Sequence, residues 1–222
     1  NYNILKTILF KSKMNNTVKL FNISLNKILL LITFSFLLLS PVSSEVGLYE
    51  RGIELIEQKN YEKALKAFEL GAKTGDLNAM TALGIMYITG VGVVQNDTKG
   101  FKYVQDAANK SHPKAQYTLG AIYYLGAGVN IDFNKAFSWI SLSADQGYSD
   151  AQHNLAQMFE AGEGVLKDSK KAYEYYLKAA RNDNLDSQVK VAQMYQEGIG
   201  TKKNLEKSAY WLKKIEESRV KN

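Results

Sequence analysis

From Ala79 onward the pattern of apolar and polar positions repeats every 36 residues. Within each repeat the apolar residues fall three or four apart, the spacing of one helical face, in two stretches separated by a glycine-bearing break. The first stretch carries Leu83, Leu119, Leu155 and Val191 at its fifth position, then the small residues Gly84, Gly120, Ala156 and Ala192. Met86, Ile122, Met158 and Met194 occupy the eighth position, and Tyr87, Tyr123, Phe159 and Tyr195 the ninth. Gly90, Gly126, Gly162 and Gly198 end it, each opening a G-x-G that reaches positive φ at little cost. The second stretch carries Phe101, Phe137, Tyr173 and Ala209, then Tyr103, Trp139, Tyr175 and Trp211, then Val104, Ile140, Tyr176 and Leu212. No single helix pair can bury such faces, so a period of this length predicts an all-α solenoid of stacked antiparallel hairpins.

The breaks carry their own signals. Asn96, Asp132, Asp168 and Asn204 place a short side-chain acceptor where the second helix starts, as an N-cap requires. Lys99, Lys135, Lys171 and Lys207 follow in a solvated first turn. The small pairs Ala107-Ala108, Ser143-Ala144 and Ala179-Ala180 leave room for the next hairpin. These signals divide 79–222 into units 79–114, 115–150, 151–186 and 187–222. In the last unit Ile215-Glu216 replaces the small pair and the end is polar, so it reads also as a C-terminal cap. Residues 45–78 lack the glycine loop and predict a shorter N-terminal hairpin, with a tight turn at Lys59-Asn60.

Ahead of the array, Lys19 and Lys27 precede an apolar run, 28–39, and then Ser40-Pro41-Val42-Ser43-Ser44. That layout predicts a secretory signal over 14–44, cleaved after Ser44, with 1–13 upstream of the true start at Met14. Twelve helical residues span about 18 Å against roughly 30 Å of bilayer hydrocarbon, which favours cleavage over an uncleaved anchor and leaves no stable membrane span in the mature chain. The leader also changes the meaning of the charge. The whole chain is +6, but residues 1–44 hold five lysines and no acid, and without them 23 basic residues face 22 acidic ones. The array is close to neutral, which argues against a nucleic-acid partner. With no cysteine there is no disulfide, thiol nucleophile or thiolate metal site.

Four G-x-G loops invite a phosphate-binding reading, but each follows a helix rather than a strand and recurs in every repeat, so all four read as helix terminators. His112, before Pro113, reads as a surface loop residue, and His153 as a surface helix residue with no second ligand nearby. No nucleophile–base pair stands out, so the expectation is no catalytic residue, no metal, no cofactor and no enzyme. The aromatic stripes read as core.

Unit 115–150 contains Ala115, Leu119, Gly120, Tyr123, Gly126, Gly128, Val129, Asp132, Lys135, Ala136, Trp139, Ala144 and Gly147. In that register it resembles the Sel-one-like repeat (SLR) family, a relative of tetratricopeptide (TPR) repeats. The resemblance covers about two-thirds of the chain, in four copies in register. It implies a right-handed α–α superhelix acting as an adaptor whose concave face holds a partner, in a family with many exported bacterial members. Some secreted relatives pin each hairpin with a disulfide, which this chain cannot do. TPR geometry would put positions three, seven and ten of the first helix on the concave face: Thr81, Ile85 and Ile88; Tyr117, Ala121 and Tyr124; His153, Gln157 and Glu160; Val189, Gln193 and Gln196. These vary between units while core positions do not, and Tyr117 and Tyr124 with Ile85 and Ile88 read as an exposed peptide-binding patch. The resulting expectation is an exported, periplasmic or secreted bacterial scaffold that binds a protein or peptide, its oligomeric state open. The alternatives are a secreted host-contact factor and an enzyme acting on cell-wall or β-lactam-type substrates.

Overall fold

The computed structural model describes residues 47–221, with the side chains of 219–221 set aside. Ten helices and, among the described residues, no strand make five antiparallel hairpins. They are α1 Leu48–Glu57 with α2 Tyr61–Lys73, α3 Leu77–Thr89 with α4 Asp97–Asn109, α5 Pro113–Leu125 with α6 Phe133–Asp145, α7 Ser149–Ala161 with α8 Ser169–Arg181, and α9 Leu185–Glu197 with α10 Leu205–Lys221. Each helix packs on its partner and on the next hairpin in line.

The predicted core positions are the core. Leu83, Leu119, Leu155, Val191, Met86, Ile122, Met158 and Met194 are buried, as are the small residues of the three repeated pairs. The small sixth residue is required by the second helix of its own hairpin: a Cβ on Gly120 would stand 2.5 Å from Ile140 and 3.1 Å from the Ala136 carbonyl. Full burial of one Leu or Met here is worth about 1.5–3 kcal/mol.

The loop signals also resolve into contacts. The first glycine of each G-x-G caps its helix in the left-handed conformation. The second lies against the preceding hairpin, where a Cβ on Gly164 would fall 2.1 Å from the Phe133 carbonyl oxygen. The four caps Asn96, Asp132, Asp168 and Asn204 accept from the backbone N–H of Lys99, Lys135, Lys171 and Lys207 at 2.9–3.0 Å. Their own N–H groups donate back to the carbonyls of Tyr87, Tyr123, Phe159 and Tyr195, closing each loop.

Those four lysines are exposed, as expected, but not idle. Their ammonium groups lie 4.0–5.4 Å from the ring centroids of Tyr87, Tyr123, Phe159 and Tyr195, so the ninth-position aromatic of each first helix is shielded by the first turn of the second.

The inner face and its candidate site

Side chains that bridge successive hairpins cluster on the first helices. Asn154 Nδ2 donates to the Tyr117 hydroxyl at 3.0 Å, His153 Nδ1 lies 2.7 Å from Ser187 Oγ, and Lys190 reaches Glu160 at 3.1 Å. Lys114 of the third hairpin donates to the Tyr49 hydroxyl of the first at 2.8 Å, skipping the second hairpin altogether. First helices of successive hairpins also touch each other directly, α1 with α3 and α3 with α5, and we term the side of the stack that they line the inner face.

The expected inner-face residues do not all reach that surface. Thr81, Ile88 and Ala121 are buried: Thr81 donates to the Leu77 carbonyl, and Ile88 packs on Gly100 of α4. Ile85 is half-buried. Tyr117 and Tyr124 are not an open patch either, because each is half-covered by the following hairpin. The Tyr117 ring packs on Tyr148 with centroids 5.4 Å apart, and the Tyr124 hydroxyl donates to Glu163. Burial, and then the charge of Asp150, pushes the Tyr117 phenol up to about 12; burial and Glu163 do the same to Tyr124. Gln157, Gln193, Gln196 and Val189 are exposed.

His153 is half-buried rather than at the surface. Its ring meets Tyr176 edge-on at 5.4 Å, and burial lowers its pKa despite Asp186 and Asp150 nearby. Glu160 is half-buried beside it. Burial opposes its ionisation, but hydrogen bonds from Tyr176 and Lys190 outweigh that and hold the carboxyl below its ordinary value. His112 lies in the turn before Pro113, as expected, but it is half-buried and serves as the N-cap of α5: Nδ1 accepts from Ala115 N–H at 3.3 Å, with Pro113 in the first turn. The Ser187–His153 contact has the residue types of a nucleophile–base pair, but Ser187 is fully buried. Among the described residues no group of acids and histidines could hold a metal ion, and no helix is long and apolar enough to cross a membrane.

Two features escaped the sequence reading. Gln116, Gln152 and Gln188 are buried, and each donates to a carbonyl at the end of the preceding second helix, that of Ala108, Ala144 or Ala180. Their 36-residue spacing was a visible signal. The second is Tyr148. Asp76, His112 and Asn184 cap α3, α5 and α9, but Tyr148 in the same place, with φ −67° and ψ 112°, makes no side-chain cap. Forgoing that cap costs α7 about 0.5–2 kcal/mol.

The comparisons with known proteins agree with this geometry. A family model described as Sel1 repeat matches residues 45–76, 77–112, 113–148, 149–184 and 185–217. The chain belongs to the Sel1 repeat family. Its matched spans begin two residues ahead of the units read from the glycine loops, and they include the N-terminal hairpin. Among solved structures it is similar to c5321, a protective antigen of uropathogenic Escherichia coli strains with an SLR fold, at 31% identity over 79% of this chain and TM-score 0.67. It is similar to a Sel1 repeat protein from Oxalobacter formigenes at 30% identity over 71% of this chain, TM-score 0.66. The chain spans 39% and 46% of the lengths of those two proteins. A sel1 repeat protein from Klebsiella pneumoniae shares the fold at 20% identity, with 79% of this chain and 89% of that one covered and a TM-score of 0.53. Among curated proteins, none matches the chain. The all-α superhelix of antiparallel hairpins is thus the fold, and Sel1 repeats are typically protein-interaction scaffolds rather than enzymes.

Proposed function

We propose that this Sel1 repeat chain is an exported adaptor that holds a protein or peptide partner along its inner face and does no chemistry on it. The observation that carries the reading is the contrast between positions. Core residues recur at every 36th place, whereas the third position of the first helix runs Thr81, Tyr117, His153, Val189. Export rests on the basic, apolar and small-residue order of 14–44. Contact with a host cell is the second reading, favoured by the likeness to c5321, a protective antigen.

The test uses a photo-crosslinking residue at exposed inner positions Gln157 or Gln193, and at Lys102 on the outer side, in the producing cell. Discrete crosslinked species specific to 157 and 193 are expected. Identical products from all three positions would remove the inner-face assignment. N-terminal sequencing of the mature protein should begin at Glu45, and a chain that stays uncleaved and inside the cell would end the export reading.

A further inference from the structure

We infer that the partner segment held on the inner face is cationic, and that Tyr148, Tyr117 and Asp150 form its anchor. This deepens the adaptor reading and rests on it. Charge is sorted between the two layers of helices. The five first helices carry three basic and seven acidic residues, whereas the five second helices carry fifteen basic and nine acidic. The near-neutral array is thus an acidic inner layer backed by a basic outer one. In the third to fifth hairpins the basic residues of the inner layer are Lys114 and Lys190, and the chain itself uses both, on Tyr49 and Glu160. Asp150, Glu160 and Asp186 lie on the first helices of the same hairpins, with Glu163 in the loop that follows α7.

Tyr148 gives that charge a place to act. Its site is built for a helix cap, and the side chain does not supply one. Its ring instead packs on Tyr117, tilted by 53°, and its hydroxyl pairs with the Asp150 carboxylate two residues on. Two half-buried aromatic rings edged by a carboxylate suit an arginine or lysine side chain, which can lie over the open part of a ring face while its charge meets the acid. An anionic segment would face Asp150 and Asp186, with Lys114 and Lys190 already engaged and Lys167 lying at the far end of α7 by Glu160. The charge complementarity therefore points to a basic segment of a partner protein.

The test measures binding of fluorescent (Arg-Ser)4 and (Glu-Ser)4 peptides to the full chain by anisotropy. Only the arginine peptide should bind, weakening as salt rises. Tyr148→Asn decides the matter, because it restores the cap that Asn184 makes at α9. It should keep the fold, the regained cap offsetting the packing lost from Tyr117, yet weaken (Arg-Ser)4 binding at least fivefold. Asp150→Asn should weaken it similarly, and Lys171→Gln with Lys178→Gln on the outer layer should not. Unchanged binding by Tyr148→Asn overturns the anchor. If (Glu-Ser)4 binds equally well, or neither peptide binds while photo-crosslinking at 157 still captures a partner, the cationic assignment fails and the adaptor reading stands. Tighter binding of a peptide of this chain's own lysine-bearing residues 1–27 would overturn the assignment to a partner.

Discussion

At the scale of single residues, the two histidines show how neighbours decide a role that spacing cannot. His112 reads as a surface loop residue because Pro113 follows it; it does lie just ahead of α5, and there its ring caps the helix as Asp76 and Asn184 cap α3 and α9. His153 looked exposed because its own helix leaves it outward, and it is the next hairpin's Ser187 that covers it. Both rings are held below their ordinary pKa, first by burial, and for His112 next by Lys114. The folded state therefore binds fewer protons than the unfolded chain once pH drops below about 6.5. Stability is fully present above that value and is lost as pH falls toward the lowered folded pKa. Glu160, also depressed, adds a loss only at lower pH, below the carboxylate range. Thermal melts at pH 7.5 and 5.5 should show a drop that shrinks in His153→Gln. In His112→Asn the drop should shrink while the cap survives, since Asn184 performs the same task. A drop of the same size in both variants would mean other groups carry it.

Among the helices, what was legible were the features each element settles for itself. Apolar spacing, the G-x-G breaks and the caps Asn96, Asp132, Asp168 and Asn204 are local, and all appear where the 36-residue register put them. The buried glutamines are equally periodic but depend on a second helix. Ala144, in the last turn of α6, has a carbonyl that takes the Gly147 N–H of the turn beyond the helix, and Gln152 adds a second donor at 3.2 Å while its own oxygen accepts from Asn182 at 3.0 Å. A polar residue on a helix reads as solvent-facing until that neighbouring helix end is known. The last copy shows the dependence: α10 runs on past Ser218, which bonds Ile215, and Gln188 Oε1 is left buried without a partner. Gln152→Met should therefore cost about 1–3 kcal/mol by removing two buried hydrogen bonds, one to the Ala144 carbonyl and one from the Asn182 amide. Met80 holds the same repeat position beside α2, whose final turn is bonded instead by the Thr74 hydroxyl. Met80→Gln should then gain little, and denaturant melts of the two variants would expose any symmetry between them.

Across the whole array, position along the stack matters more than repeat identity, because each hairpin is buried by the next. That is also why the candidate site was only partly legible: periodicity gives the side a residue faces, but not how far the following hairpin covers it, and Tyr117 and Tyr124 were read as open for that reason. Val104, Ile140, Tyr176 and Leu212 share one repeat position, yet they are 0%, 2%, 0% and 53% exposed. Leu212 belongs to the last hairpin and has nothing stacked beyond it among the described residues. Ile140→Ala should accordingly cost about 2–5 kcal/mol, because its cavity is walled by two hairpins. Leu212→Ala should cost under about 1 kcal/mol, close to a surface change. Helices here touch only near neighbours, so the loss at Ile140 should spread outward and weaken with distance. Hydrogen exchange resolved by segment would show faster exchange in α5–α8 of Ile140→Ala, with α1 and α2 close to the parent protein. Uniform acceleration from α1 to α10 would instead mean that the five hairpins unfold as one unit, and the nearest-neighbour account of this chain would have to be abandoned.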